Sequence, residues 1–206
     1  LKRDVEMVIN SQTLEGEMKY NFSGIQKSGL LTLYHSTQTD VKEEAIKRFL
    51  SNNNRNISIR DLGFGNADNR DSSLIISARV EIRNEISEFN NEVYVPVDPF
   101  GTREYYQIDE KRRSDIHFGE KLNRCTRIVY KLPEGLQVKH LPDNLTISNE
   151  YFECTLHCSF NGGKIYVDKK IRVPNGYVPL SMKNEWNAFQ RELRNFEKSQ
   201  MILVRN

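Results

Sequence analysis

The stretch YFECTLHCSFNGGKIYVDKKIRV, residues 151–173, decides the fold of this chain. Apolar and polar side chains alternate strictly over residues 151–160, which is typical of a strand with one buried face. The Asn-Gly-Gly that follows, residues 161–163, favours the positive φ angles of a tight turn. The alternation resumes over residues 165–173, with Lys169 as a cation on the apolar side. The stretch therefore predicts a β-hairpin.

The same alternation predicts further strands on both sides of the hairpin. It is clearest over residues 76–82, where apolar side chains alternate with serine, arginine and glutamate. Other strands are predicted at residues 5–10, 15–23, 57–62, 92–95, 122–132, 136–140 and 145–148. The short apolar run at residues 201–204 predicts a final edge strand.

Helical periodicity is confined to a few segments. Residues 24–34 predict a short helix. Asp40 and Glu43 form a capping-box pattern, and the apolar stripe that follows predicts a second helix, which ends at the three asparagines 52–54. A third helix, capped by Ser181 and packed on a sheet, is predicted from apolar side chains spaced four, three, four and three residues apart: Met182, Trp186, Phe189, Leu193 and Phe196.

These elements predict an α+β, mainly β fold, with antiparallel, sandwich-like sheets and two or three helices, including a C-terminal amphipathic one. Residues 96–118 hold two prolines and a glycine before a charged stretch, so they are the best candidate for a boundary. Two parts are predicted: a mixed β/α subdomain over residues 1–110, and an antiparallel β subdomain over residues 111–206 closed by the last helix. Whether they form one sandwich or two modules stays open.

Composition excludes several classes of protein. The 206 residues are 37% hydrophobic, and 30 basic against 28 acidic residues give a net charge of +2. This balance argues against nucleic acid as a principal ligand, because each neutralised phosphate needs a lysine or arginine. No apolar run of 18 residues is present, so no membrane span is expected.

The chain begins without a methionine or a signal peptide, which predicts a piece of a longer protein.

The cysteines and histidines offer little catalytic chemistry. Cys154 and Cys158 lie on the apolar face of one predicted strand, where thiols are unreactive, so structural thiols are expected. A disulfide from Cys125 to either of them stays open. So does a cysteine hydrolase that uses Cys125 with His117 or His140. Metal-ligand spacings such as His-Glu-x-x-His are absent, so neither a metal nor another cofactor is predicted.

One aromatic segment is the best candidate binding surface. Phe100, Tyr105 and Tyr106 accompany Arg103, and aromatic rings beside an arginine can bind a sugar or a peptide. The alternative is that these rings pack into the boundary between the two halves.

The second half of the chain resembles a known family. Its features, in order, are Ser-Asp-Ile-His-Phe-Gly at 114–119, Pro-Glu-Gly at 133–135, Leu-Pro at 141–142, Tyr-Phe at 151–152, Gly-Lys-Ile-Tyr-Val at 163–167, Val-Pro at 178–179, the aromatic helix, and Ile-Leu-Val at 202–204. This order resembles the C-terminal domain of unknown function that follows the core of exported bacterial transglutaminase-like proteins. The front half looks like the linker region after that core.

The resemblance implies a role without catalysis. The catalytic motifs of such proteins lie in the core, and no position here matches them, so no catalytic residue carries over. The expected function is a non-catalytic accessory or interaction region, exported to the periplasm or cell surface, with the upstream transglutaminase-like domain as partner and a peptide, glycan or protein as a further one. The alternative is an independent extracellular glycan- or peptide-binding module that uses residues 100–106.

Overall fold

The computed structural model describes residues 1–69, 71–101 and 107–205, and within them the side chains of all residues but 39 and 40. Strands account for 47% of the chain and helices for 21%, which confirms the mainly β, α+β class. Within these ranges, no helix is both long enough and apolar enough to cross a bilayer.

Within the described residues, two helices interrupt the strands in the front part of the chain, and a third lies before the last strand. The strands are β1 (Lys2–Ile9), β2 (Thr13–Phe22), β3 (Ile57–Gly65), β4 (Leu74–Arg83), β5 (Ser87–Phe89), β6 (Glu92–Pro96), β7 (Ile116–His117), β8 (Leu122–Lys131), β9 (Leu136–His140), β10 (Leu145–Ser148), β11 (Glu153–Asn161), β12 (Lys164–Val173), β13 (Tyr177–Val178) and β14 (Gln200–Arg205). The helices are α1 (Gly24–Ser36), α2 (Thr39–Leu50) and α3 (Lys183–Lys198), and a 3-10 turn (Leu180–Met182) precedes α3.

Eight strands form the main sheet, in the order β10-β11-β12-β8-β1-β2-β4-β3. All neighbours are antiparallel except β1 and β8, which run parallel and join the front of the chain to its second half. Strands from both sides of residue 110 therefore share one sheet. The predicted division at that residue stays a prediction.

Helices cover one face of the main sheet, which we call the inner face. The ring of Phe49 from α2 lies 6.0 Å from that of Phe22 on β2. Further along the sheet, Phe189 of α3 stacks on Phe152, just before β11, at 5.3 Å. The outer face instead carries exposed ion pairs such as Arg127 with Asp168. This one-sided cover explains the strict alternation, because every second residue of each strand must be apolar.

The predicted hairpin is confirmed as β11 and β12, which pair antiparallel from Glu153 with Arg172 to Asn161 with Lys164. Gly162 and Gly163 at its turn have φ angles of 56° and 72°. These angles lie in the left-handed region, where a residue with a side chain is strained and glycine is not.

The last strand was predicted at a sheet edge, and that prediction is wrong. β14 lies inside a second sheet of order β5-β6-β14-β9, where it pairs with both β6 and β9. Met201 and Leu203 are fully buried as a result. Periodicity reports which side of a strand is buried but not whether a neighbour flanks it.

The predicted helix starts need two corrections. Ser181 does not cap α3, because it lies inside the 3-10 turn, and Met182 holds the N-cap position. In α2 the N-cap is Gln38, so Asp40 falls within the first helical turn. The predicted apolar face of α3 is confirmed: Trp186 and Phe189 are almost fully buried.

Candidate functional site

Three polar side chains form a row across the inner face of the main sheet. Arg3 on β1 is in register with Thr126 on β8, and Thr126 with Lys169 on β12. Each occupies a position that the strand's alternation turns inward, in the same phase as buried Val5 and Ile128. Two cations are thereby brought under the helices, about two strand spacings apart, or roughly 10 Å.

Asp98 binds both cations from the loop that follows β6. Nη2 of Arg3 donates to its two carboxylate oxygens at 3.0 and 2.8 Å, and Nζ of Lys169 donates to Oδ2 at 2.7 Å. The backbone N–H groups of Phe100 and Gly101 donate to Oδ1 at 3.1 and 3.2 Å. The carboxylate therefore accepts five hydrogen bonds from the described residues and fixes the loop to the sheet.

Glu197 joins the group from α3. Nζ of Lys169 donates to its Oε1 as well as to Asp98. The exposed fractions of the side chains are 9% for Arg3, 1% for Asp98, 6% for Lys169 and 2% for Glu197. We call these four residues the buried charge cluster. Two cations and two anions cancel, which is the condition under which charges can stay ionised away from water.

The pKa of Asp98 follows from its two cations. Burial alone would raise the pKa of this carboxyl, but the charges of Arg3 and Lys169 outweigh burial and hold it well below its usual range. The pKa of Arg3 is likewise raised by Asp98 against the effect of burial. Both groups therefore stay charged throughout the physiological pH range.

A cavity of about 310 Å³ opens beside the cluster on the inner face. It lies between the main sheet and the helices α1 and α2. Among the described residues, its lining includes Arg3, Tyr20, Phe22, Phe49, Arg124 and Lys169. Nε of Arg3 and Oε1 of Gln26 are buried and have no hydrogen-bond partner within the described part of the chain. The cavity thus combines apolar walls with side chains of the buried charge cluster.

The structure places only one residue of the predicted aromatic surface. Phe100 is 3% exposed, lines the cavity, and lies under the guanidinium of Arg3, whose Cζ is 4.9 Å from the ring centroid. Arg103, Tyr105 and Tyr106 lie outside the described residues. The sugar- or peptide-binding role predicted for these four residues stays a prediction.

All three cysteines are free, so the disulfide left open by the sequence does not form. Burial raises the pKa of Cys154 and of Cys158 to about 12, which keeps both thiols protonated. Cys125 is half-buried, and its thiol lies 3.8 Å from Oδ1 of Asn123.

The two histidines considered with Cys125 lie on other strands. His117 belongs to β7 and stacks on Tyr177, while His140 ends β9 in register with Ile202. Within the described residues, no group of three or more His, Cys, Asp or Glu side chains could hold a metal ion.

Sequence reasoning singled out only one member of the cluster. Lys169 was visible as a cation in an apolar phase. Arg3 is also a cation at a position where the alternation of β1 calls for a buried residue, since it lies two residues before the buried Val5. Asp98 carried no local signal, since it lies in a loop. Glu197 was hidden because it borders the apolar stripe at Phe196 rather than interrupting it.

The fold and the cluster define a mainly β, α+β protein in which buried ion pairs through Asp98 link β1 to β12 and α3. The profile of DUF3858, a domain of unknown function, matches residues 91–203, and the chain belongs to this family. The matched segment contains Asp98, Lys169 and Glu197, whereas Arg3 precedes it. Comparisons with curated proteins and with solved structures gave no match.

Proposed function

We propose that this chain is a non-catalytic accessory and interaction region of an exported transglutaminase-like protein. It supports the upstream catalytic core or docks a partner of that core. The order of turns and core positions in the second half supports this proposal through the resemblance described above. Membership of a family of unknown function leaves such a role open.

The buried charge cluster is the observation that carries the proposal. Its side chains come from β1, the loop after β6, β12 and α3, so it ties together elements that are far apart in sequence. A general acid or base needs a pKa near the working pH. The pKa of Asp98 is instead held far below that range, and its oxygens accept five hydrogen bonds from the described residues. The arrangement supports a rigid scaffold.

The thiols support the same conclusion. A cysteine nucleophile acts as a thiolate, and its pKa must be lowered for that. Burial moves the pKa of Cys154 and of Cys158 in the opposite direction. The two thiols therefore contribute apolar packing on the inner face of β11.

Two measurements test the proposal. The reading frame that encodes Leu1 is expected to encode an export signal and a Cys-His-Asp core upstream. The purified chain, added in trans to that core, is expected to raise the core's melting temperature or change its rate on a fluorogenic peptide. The chain alone should neither hydrolyse nor cross-link peptides.

Two outcomes would overturn the proposal. One is a reading frame without such a core. The other is peptide cleavage or cross-linking by the chain alone that survives repeated purification and is lost in Cys125→Ala, since a catalytic activity would then belong to this region. Cys154→Ala is the matched control, because it removes a thiol that the fold keeps protonated.

A further inference from the structure

Three aromatic rings meet on the surface beside the short sheet of β7 and β13. His117 on β7 is in register with Tyr177 on β13, and the two rings stack with their centroids 5.7 Å apart. The ring of Tyr151, which precedes β11, lies 6.1 Å from that of Tyr177 and is inclined to it at 62°. We call these three residues the aromatic cluster. Two of them belong to the motifs at residues 114–119 and 151–152, which the proposed function does not use.

The aromatic cluster is turned toward solvent rather than into the core. The inward positions beside it are taken by Ile116, Val178 and Phe152, all of which are buried. His117 is exposed, and the two tyrosines are half-buried, so each ring-bearing residue keeps a surface in contact with water. A cross-strand aromatic pair helps to hold a short ladder together, but the accessible parts of the rings remain open to a partner.

Two carboxylates border the aromatic cluster. Glu150 directly precedes Tyr151, and Asp115 lies two residues before His117. The charge of Glu150, and to a smaller extent that of Asp115, raises the pKa of Tyr151. The rings are therefore bordered by negative charge.

These carboxylates have no cation of their own. Within the described residues neither Asp115 nor Glu150 forms an ion pair, and Glu150 makes no hydrogen bond. Asp115 accepts a hydrogen bond from the N–H of Leu180 at 2.8 Å, which holds its side chain in place. Arg112 instead donates to the backbone oxygens of Ser114 and Asp115, both at 2.9 Å. The negative charge is thus left for a cation from another molecule.

We propose that the aromatic cluster is a docking surface for a basic peptide segment, whose arginine or lysine side chain lies against the rings of Tyr151 and Tyr177 and pairs with Glu150. A cation near the face of an aromatic ring is attracted by the ring's quadrupole, and a carboxylate beside it adds Coulomb attraction. Arginine is favoured over lysine, because a planar guanidinium stacks on a ring and is less strongly hydrated. The proposal gives the chemistry of a partner and does not rest on the accessory role.

The binding experiment uses matched peptides on the whole chain. The acetylated and amidated peptide Gly-Arg-Gly-Arg-Gly is titrated by NMR at low ionic strength, and the same peptide with citrulline for arginine provides a neutral probe of the same shape. The arginine peptide is expected to bind with a Kd of about 1–5 mM, because exposed cation–π contacts and exposed ion pairs are each weak. The citrulline peptide is expected to bind about fivefold more weakly, since it lacks both interactions.

Variants then locate the bound peptide. Glu150→Gln should weaken binding of the arginine peptide about threefold, and Tyr151→Leu, which keeps an apolar side chain but removes the ring, should do the same. Tyr151→Phe keeps the ring and should leave the affinity within about twofold. The matched controls are Glu44→Gln, on α2, and Tyr166→Leu, on the outer face of β12. Neither control should change the affinity.

Four results would overturn the proposal. The first is no binding of the arginine peptide at about 20 mM, well above the expected Kd. The second is equal affinity for the arginine and citrulline peptides. The third is binding that Glu150→Gln does not weaken, since the peptide would then lie elsewhere; Glu150 is exposed, so this variant is expected to fold even if Tyr151→Leu does not. The fourth is tighter binding of the neutral sugar chitotriose that Tyr151→Leu abolishes, which would make the surface a glycan site.

None of these results bears on the accessory role, which the reading frame and the experiment in trans test separately.

Discussion

Replacing Asp98 by asparagine tests whether the buried charge cluster holds the fold together. The two side chains have nearly the same shape, so Asp98→Asn leaves no cavity. It removes one negative charge, and Arg3 and Lys169 are then left in the interior with Glu197 as the remaining anion of the cluster. The variant should be strongly destabilised, because uncompensated buried charge is costly.

The size of the effect follows from the hydrogen bonds of Asp98. An asparagine that keeps Oδ1 toward the N–H groups of Phe100 and Gly101 places its amide at the Oδ2 position. There it loses the bonds from Arg3 at 2.8 Å and from Lys169 at 2.7 Å. At about 1.5–3 kcal/mol for each bond to a charged group, the loss is about 3–6 kcal/mol. This agrees with about 3–5 kcal/mol for breaking a buried ion pair.

Urea unfolding followed by circular dichroism measures this loss directly. A chain of this length should lose about 8–16 °C in melting temperature for a loss of about 4 kcal/mol. The matched control is Asp168→Asn on the outer face, next to Lys169 in sequence, where Asp168 pairs with Arg127 at 2.7 Å in partly exposed positions. An exposed pair of this kind contributes about 0.2–1 kcal/mol.

The same variant carries a pH signature. The pKa of Asp98 is lowered in the folded state, so its contribution is complete above the unfolded pKa of about 3.9 and is lost as the pH falls below it. The difference in unfolding free energy between wild type and Asp98→Asn should be constant above about pH 5 and shrink below about pH 4.

Two results would refute the reasoning about the cluster. One is a loss below about 1 kcal/mol for Asp98→Asn, equal to that of the surface control. The other is a difference from wild type that stays unchanged down to about pH 2.5. The double variant Asp98→Asn/Lys169→Met gives a further check, because it removes one charge of each sign. It should be destabilised less than the sum of the single variants.

Three further predictions concern close packing and thiol exposure. Gly16→Ala should unfold the chain or cost several kcal/mol, because the added Cβ would lie 1.9 Å from the backbone oxygen of Glu6; a melting temperature equal to wild type would contradict this. Leu203→Ala should cost about 2–5 kcal/mol in urea unfolding, whereas Val204→Ala, at a half-buried position, should cost clearly less; equal losses would argue against a central β14. Iodoacetamide followed by mass spectrometry should label Cys125 in the native chain and the two buried cysteines only after unfolding; early labelling of a buried thiol would show that its strand opens.

Local pattern was enough to find most of the elements. The hairpin of β11 and β12 could be predicted because alternation and an Asn-Gly-Gly turn act within a few residues. The stripe from Trp186 to Phe196 identified α3 for the same reason. The starts of α2 and α3 were less well predicted, since Gln38 and Met182 hold N-cap positions that lack a side-chain signature.

The candidate site could be predicted only in fragments. Lys169 was visible as a cation in an apolar phase, but nothing near it in sequence identified its partners. The aromatic surface drew attention to Phe100, which the structure places under Arg3 at the cavity rather than in solvent. The cavity itself depends on how α1 and α2 lie over the sheet, which no local pattern encodes.

The sequence by itself determined which face of the main strands and of the C-terminal helix is buried, because side-chain period and turn chemistry act over a few residues. Only the tertiary structure decided that β1 lies parallel to β8, and that β14 is central rather than at an edge. It alone brought Asp98 to Arg3 and Lys169, which are 95 and 71 residues away along the chain. The physical reason is that an ion pair depends on strand order and register, and these are set by how the whole chain buries its apolar faces.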